Sequence, residues 1–244
     1  MTTEAKIEQA TIDWLTDLGY SHIHGTTFTF PENEVVDKAT LLAFIQQQHP
    51  HLPAELYPLI VAEFVNNKGA DLLYRNRDFH LKLTKGLDYE YQDANGNEKA
   101  VHVYPIDFQN PENNTFWVVN QLSIKGKNKR RPDVIVYVNG FPLIVFELKN
   151  WFDENTNLQE AFNQIQHYTK DIPLLFEYNV ATIVSDGNEA QHGMFNASNE
   201  WYAAWKSING TTIVEDDFQM HTLLFGLFPK ERLLNYIKNF VFFV

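Results

Sequence analysis

Asp133, Glu147 and Lys149 have the residue types and the spacing that could do chemistry. Two carboxylates offer hard oxygen ligands to Mg2+, which keeps several of its waters and can bind a substrate phosphate as well. A lysine beside such a pair can orient or stabilise an attacking hydroxide. Together these groups are what metal-assisted hydrolysis of a phosphodiester needs. In Glu147-Leu148-Lys149 the side chains of an extended chain alternate, so acid and lysine share one face while Leu148 turns into packing. A Glu-x-Lys triplet alone is ordinarily just a charge pair on an exposed strand. The setting differs here, because Val134, Ile135, Val136, Val138 and the run Leu143 to Phe146 make both neighbouring strands look buried. Buried charges persist only when paired or metal-bound.

Two strands must position these groups. Asp133 to Val138 and Leu143 to Lys149 read as a hairpin around Asn139-Gly140. A plain two-residue turn would set Val138 against Phe141 and Asp133 against Phe146, with Glu147 on the far face of the sheet. A shared cation requires a register one residue further along, with Asp133 opposite Glu147 and their Cβ atoms roughly 5 Å apart. The expectation is therefore an odd-length connection or a bulge between Val138 and Leu143. A type I turn followed by a left-handed Gly140 is one such form, with Pro142 placed where no ladder donor is needed.

The remaining elements follow from periodicity. A first helix spans about Glu4 to Leu18, with Ile7, Thr11, Trp14, Leu15 and Leu18 on one face and Gly19 ending it. Helices over 38–48 and 54–66 are followed by strands over 87–92 and 100–108, around Asn95-Gly96, and over 116–124. After the hairpin come a helix over 157–170, a short buried strand over 179–185 and an amphipathic helix over 230–239. This order implies an α/β fold with a mixed central sheet flanked by helices. Gln164 and Tyr168 are neighbours on the surface of the 157–170 helix, able to reach the sheet or a phosphate. A boundary pair that packs the helix onto the sheet fits their spacing equally well. Glu8 flanks the apolar stripe of the first helix, where a solvated glutamate is the ordinary occupant.

Composition sets outer bounds. With no cysteine, disulfides, thiolate metal sites and thiol nucleophiles are excluded. The polar, acidic start lacks the pattern of a signal peptide, and no apolar run approaches the roughly 20 residues that span a bilayer. A net charge of −12 argues against non-specific coating of nucleic acid, but not against a nuclease whose site needs carboxylates. One segment reverses the sign: Lys125, Lys127, Lys129, Arg130 and Arg131 fall within seven residues, just ahead of Asp133. As a solvated loop it needs no explanation; in this position Lys127, Lys129, Arg130 and Arg131 suit phosphate steering. His22, His24, His49 and His51 form no metal framework with other ligands. No G-x-x-x-x-G-K-[S/T] loop for ATP phosphates occurs.

Arg131-Pro132-Asp133, Asn139-Gly140, Glu147-Leu148-Lys149-Asn150 and Gln164-x-x-x-Tyr168 together resemble the N-terminal nuclease domain of the restriction subunit of type I restriction-modification enzymes, within the PD-(D/E)xK nuclease superfamily. The likeness extends over nearly the whole chain, through Leu18-Gly19-Tyr20, Ile106-Asp107-Phe108, Asn120-Gln121, Ile183 to Gly187 and Trp205-Lys206. It implies a restriction-endonuclease-like core over 1–205, with a helical insertion at about 38–85, and a connection over 206–244 toward an ATP-dependent motor. The apolar run Phe240 to Val244 is then expected to mark a truncation at a domain boundary. The resemblance further implies Mg2+ (one ion or two) on Asp133 and Glu147, a catalytic Lys149, and Gln164, Tyr168 and Glu8 in support, with no role assigned to Asp107. Its implied setting is cytoplasmic, with double-stranded DNA and the methylation and specificity subunits as partners, no membrane, and ATP consumed by the full-length subunit rather than bound here. A catalytically silent docking module, or a stand-alone repair or junction nuclease, are the alternatives. Intact Asp133, Glu147 and Lys149 favour catalysis over the first, and the acidic charge and apolar end speak against the second.

Overall fold

A six-stranded mixed sheet positions everything that follows. The computed structural model describes residues 3–28, 30–31, 34–149, 158–215 and 218–243. Helix α1 (Thr3–Asp17) leads through Gly19, whose φ is +86°, into strand β1 (Ser21–His24). Helices α2 (Lys38–Gln48), α3 (Leu56–Val65) and α4 (Leu72–Lys85) follow, and then a separate two-stranded ribbon, β2 (Leu87–Gln92) with β3 (Glu98–Val103). Strand β4 (Phe116–Asn120) and a small hairpin of β5 (Ile124–Lys125) with β6 (Lys129–Arg130) lead to β7 (Val134–Val138) and β8 (Phe141–Leu148). Helices α5 (Leu158–Asp171) and α6 (Pro173–Phe176) precede β9 (Ala181–Ser185) and β10 (Ala190–Gly193), and helices α7 (Gln219–Leu227) and α8 (Lys230–Asn239) come last. The main sheet runs β1-β4-β7-β8-β9-β10, with β1–β4 and β8–β9 parallel and the other neighbours antiparallel.

Every residue of β7, β8 and β9 is buried, which explains their continuous apolar runs: a strand covered on both faces has no polar side to alternate with. The Phe146 ring lies 5.5 Å from that of Phe228, whereas Glu147, one residue on, meets Tyr168 of α5 on the opposite face. Helix α1 packs against α7, β4 and β8, through buried Thr11, Ile12 and Leu15. Leu223, Leu224, Leu227, Leu233, Leu234 and Ile237 of α7 and α8 belong to the same buried core. Among the described residues no helix is long and apolar enough to cross a membrane.

Of the two expected forms, the hairpin has the bulge and not the odd-length connection. Asn139 and Gly140 both have positive φ, 47° and 87°, so the turn is a two-residue one closed by Val138 and Phe141. The register shifts instead inside the ladder: Tyr137 pairs with Pro142, then Val136 with Ile144, so Leu143 is an extra residue, a bulge. Its carbonyl is taken by β9's approach, accepting from the Val180 N–H at 2.7 Å and Asn179 Nδ2 at 3.2 Å. Pro142 sits in the pair next to the turn-closing one, where an antiparallel ladder asks for no N–H. Asn139 is wholly buried and tolerates its left-handed backbone because its side chain accepts from Thr115 N–H and donates to Pro105 O and Asn114 Oδ1.

Other boundaries move for physical reasons. The strand expected over 116–124 stops at Asn120, because Gln121 turns the chain with φ +57°. The one expected over 100–108 stops at Val103 ahead of a loop organised by Asp107, which accepts from Gln109 N–H, Asn110 N–H and Asn113 Nδ2. Asp107 is thus a loop-building residue. The expected helix start at Asn157, and Asn150 beside the Glu-x-Lys triplet, lie outside the described residues.

Candidate active site

From the Leu143 bulge to the open end of β8, the register sets Val134 opposite Phe146, and the same register carried one residue on would bring Asp133 opposite Glu147. The Leu148 N–H donates to Asp133 Oδ2 at 2.7 Å, fixing the carboxylate against the strand that carries Glu147. Glu147 is 2% exposed. One of its oxygens meets the Lys149 ammonium in a short ion pair, and the other accepts from the Tyr168 hydroxyl at 2.9 Å. Gln164 hydrogen-bonds that hydroxyl in turn. The helix pair therefore reaches the sheet by a relay, with Tyr168 touching the acid and Gln164 orienting Tyr168.

The electrostatics show a site short of positive charge. Burial, and then the charge of Glu147, push the Asp133 carboxyl up to about 8. Burial raises Glu147 as well, against the pull of Lys149 and Tyr168. Lys149 is held above its ordinary value: burial opposes the ammonium, but Glu147, Asp133 and Glu4 outweigh it. Tyr168 is raised by burial and by Glu147, so it stays a hydroxyl donor. Two carboxylates that cannot both hold their charge comfortably are oxygen donors suited to a hard divalent cation. Among the described residues no group of three or more acidic or histidine side chains forms a protein-only metal cage. A cation on Asp133 and Glu147 would keep water ligands, as Mg2+ commonly does.

Glu8 stands one step back from these groups. Its two oxygens accept from Asn120 Nδ2 and Gln121 Nε2, each at 2.7 Å, and the Gln121 N–H donates to Asp133 O at 3.3 Å. Glu8 thus pins the segment that lies beside Asp133. Gln121 holds a backbone conformation that non-glycine residues seldom adopt, the kind of local strain that persists where surrounding contacts enforce it.

The basic run divides. Arg130 is committed to Asp171 at the end of α5, with Nε at 2.7 Å and the second nitrogen at 2.6 Å. Asn128 Nδ2 completes the clamp at 2.7 Å, and these bonds hold the Asp171 carboxyl below its ordinary value. Lys127, Lys129 and Arg131 present exposed side chains. The Arg131 carbonyl lies 3.5 Å from the Tyr168 hydroxyl, so the run abuts the acidic site. Of the histidines, His22 pairs with Asn120 and His24 with Thr26.

Glu4 was not anticipated. Its carboxylate lies 3.7 Å from Lys149 Nζ. The signal was available in Glu4 and Glu8, one helical turn apart on α1, but their aim depends on where α1 docks.

Fold and site together define a restriction-endonuclease-like α/β domain whose mixed sheet presents two acids and a lysine at one strand end. The chain belongs to the type I restriction enzyme R protein N-terminus family, whose model matches residues 1–201. It is 36% identical along its whole length to the type I restriction enzyme HindI endonuclease subunit of Haemophilus influenzae, and covers 24% of that protein. Over 96% of its length it is 30% identical to a putative type I restriction enzyme endonuclease subunit, MjaIXP, of Methanocaldococcus jannaschii, covering 25% of it. A 28% identity over 64% of the chain links it to the EcoprrI endonuclease subunit of Escherichia coli. The chain thus spans about a quarter of the length of the first two relatives.

Proposed function

We infer that this domain hydrolyses DNA phosphodiester bonds in a Mg2+-dependent reaction, as the nuclease part of a longer cytoplasmic restriction subunit. Its ATP-driven motor would follow the connection over 206–244, and its partners would be the methylation and specificity subunits. The observation that carries this reading is the Leu143 bulge, which turns Asp133 and Glu147 toward one another while Lys149 stays on the same end of β8. A bound Mg2+ would polarise the phosphate and acidify a water. The chain's own residues do the rest. Asp133 and Glu147 offer oxygens fixed by Leu148 N–H and Tyr168. Lys149 keeps its proton, so its ammonium can orient the attacking oxygen and offset the negative charge that develops on the phosphate. Lys127, Lys129 and Arg131 supply positive charge on the approach to the site.

The test is cleavage of plasmid DNA by the full subunit assembled with its partners. Asp133→Ala, Glu147→Ala and Lys149→Ala should each slow cleavage by on the order of 100-fold or more. ATP hydrolysis should persist, because the motor lies elsewhere. A variant that cuts at the wild-type rate removes its residue from the site, and three such variants remove the reading.

A further inference from the structure

We propose that Glu4 is a positioning residue for Lys149, the carboxylate that takes up its ammonium when Glu147 turns to a cation. This rests on the metal-dependent reading above.

Lys149 and a cation compete for Glu147. In the metal-free arrangement Lys149 Nζ is drawn onto Glu147 Oε1 in the shortest contact of the site. That oxygen is one of the few a divalent cation could use, since the other already accepts from Tyr168. A cation at Glu147 repels the ammonium and competes for the same lone pairs, so Lys149 needs another anionic partner within a small movement. Glu8 is already occupied by Asn120 and Gln121. Asp133 is itself a candidate ligand. Glu4, one turn before Glu8, stands 3.7 Å from Nζ, too long for a committed hydrogen bond and within reach of a modest rotation of either side chain.

Charge balance supports the same assignment. With Asp133, Glu147 and Glu4 ionised, three carboxylates face one ammonium and one divalent cation, and the loaded cluster is neutral. Without Glu4 it would carry a net positive charge at a site whose acids are largely withdrawn from water. Glu4 itself is 46% exposed, so its influence is screened and its exchange of partners costs little desolvation. It stands in the first turn of α1, in line with Thr11 and Leu15 but ahead of the buried part of that face.

The experiment is Mn2+ binding to the protein, read by electron paramagnetic resonance, with thermal melts of the metal-free forms alongside. Glu4→Gln should weaken Mn2+ binding roughly tenfold and leave the metal-free melting temperature unchanged. Glu4→Asp, which keeps the charge on a shorter arm, should recover part of the loss. In a Lys149→Ala background the cost of Glu4→Gln should shrink sharply, because no ammonium remains to be held. An undiminished cost there would mean that Glu4 acts on the cation directly, and an unchanged Mn2+ affinity in the single variant would mean that it does not act at all; either result overturns the proposal. Asp133→Asn separates the two levels. If it leaves Mn2+ binding intact, the metal reading itself fails; if it abolishes binding while Glu4→Gln changes nothing, only the role of Glu4 does.

Discussion

At the scale of single residues, the stability of the site depends on how many charges it must hold, which makes it sensitive to pH. The Asp133 carboxyl is raised in the folded protein to about 8, from the 3.8 that is ordinary for an aspartate. A group whose folded pKa lies above its unfolded one leaves the folded state holding more protons between the two values. Its contribution is therefore most favourable below about 4 and is lost as pH rises through about 8, where burying the ionised form costs in full. Asp133→Asn removes that cost. In chelator, its melting temperature should exceed the wild type's at pH 8.5 and converge with it near pH 4. Added Mn2+ should raise the melting temperature of the wild type at the higher pH and leave the variant where it was. An advantage of equal size at both pH values would show that Asp133 ionises normally, and the shortage of positive charge at the site would be disproved.

At the scale of elements, the turn that starts β8 is held by backbone geometry. Gly140 has φ +87°, and a Cβ added there would lie 2.2 Å from the carbonyl oxygen of Asp37. The same Gly140 offers its carbonyl to the Asp37 N–H at 2.9 Å, and Asp37 caps α2 through Ala39 N–H. Gly140→Ala therefore strains the turn and displaces the helix cap together. The expected loss is about 1–3 kcal/mol, a fall of about 2–12 °C for a domain of this size; a melt matching the wild type's would show that the turn relaxes freely. The hairpin also shows how far the sequence could be read. Alternation between Glu147 and Lys149 and the need for two acids on one cation required a register displaced by one residue, and the structure has it. Its location could not be read, because Leu143 looks like any other apolar strand residue until Asn179 and Val180 are seen to use its carbonyl. Strand β1, Ser-His-Ile-His, was not legible either: one apolar residue makes no alternation, and its pairing with β4 is a tertiary event. Strand β10, Ala-Gln-His-Gly, was hidden for the same reason. Helix α5 was legible because its apolar stripe is strong, and with it the Gln164–Tyr168 pair. Whether that pair met a phosphate or the sheet depended on the depth at which α5 docks, which periodicity does not encode.

At the scale of the whole molecule, the proposed nuclease role asks an acidic chain with a net charge of −12 to approach an acidic polymer. Under that proposal, long-range attraction has to come from a local reversal of sign, which the basic run beside Asp133 would supply. In sequence its cations are equivalent; in the fold they are not. Arg130 is consumed by Asp171, an ion pair that closes the β5–β6 hairpin against the end of α5. Two of its guanidinium nitrogens face that carboxylate, whereas Lys127, Lys129 and Arg131 are exposed. Replacing these three by alanine should weaken DNA binding by the full subunit and reduce the slope of log K against log salt, by about 0.9 for each phosphate that is no longer neutralised. Arg130→Ala should do the reverse. It should lower the melting temperature, since Asp171 loses its guanidinium partner and keeps only Asn128 of the clamp, and change the salt slope little. Binding isotherms across a salt series, with melts of the same variants, tell the two roles apart. If Arg130→Ala proved as costly to the slope as the other three combined, its pairing with Asp171 would have to open on DNA. If the triple variant kept the wild-type slope, the run would be no more than a solvated hairpin, and attraction to DNA would have to come from elsewhere in the subunit.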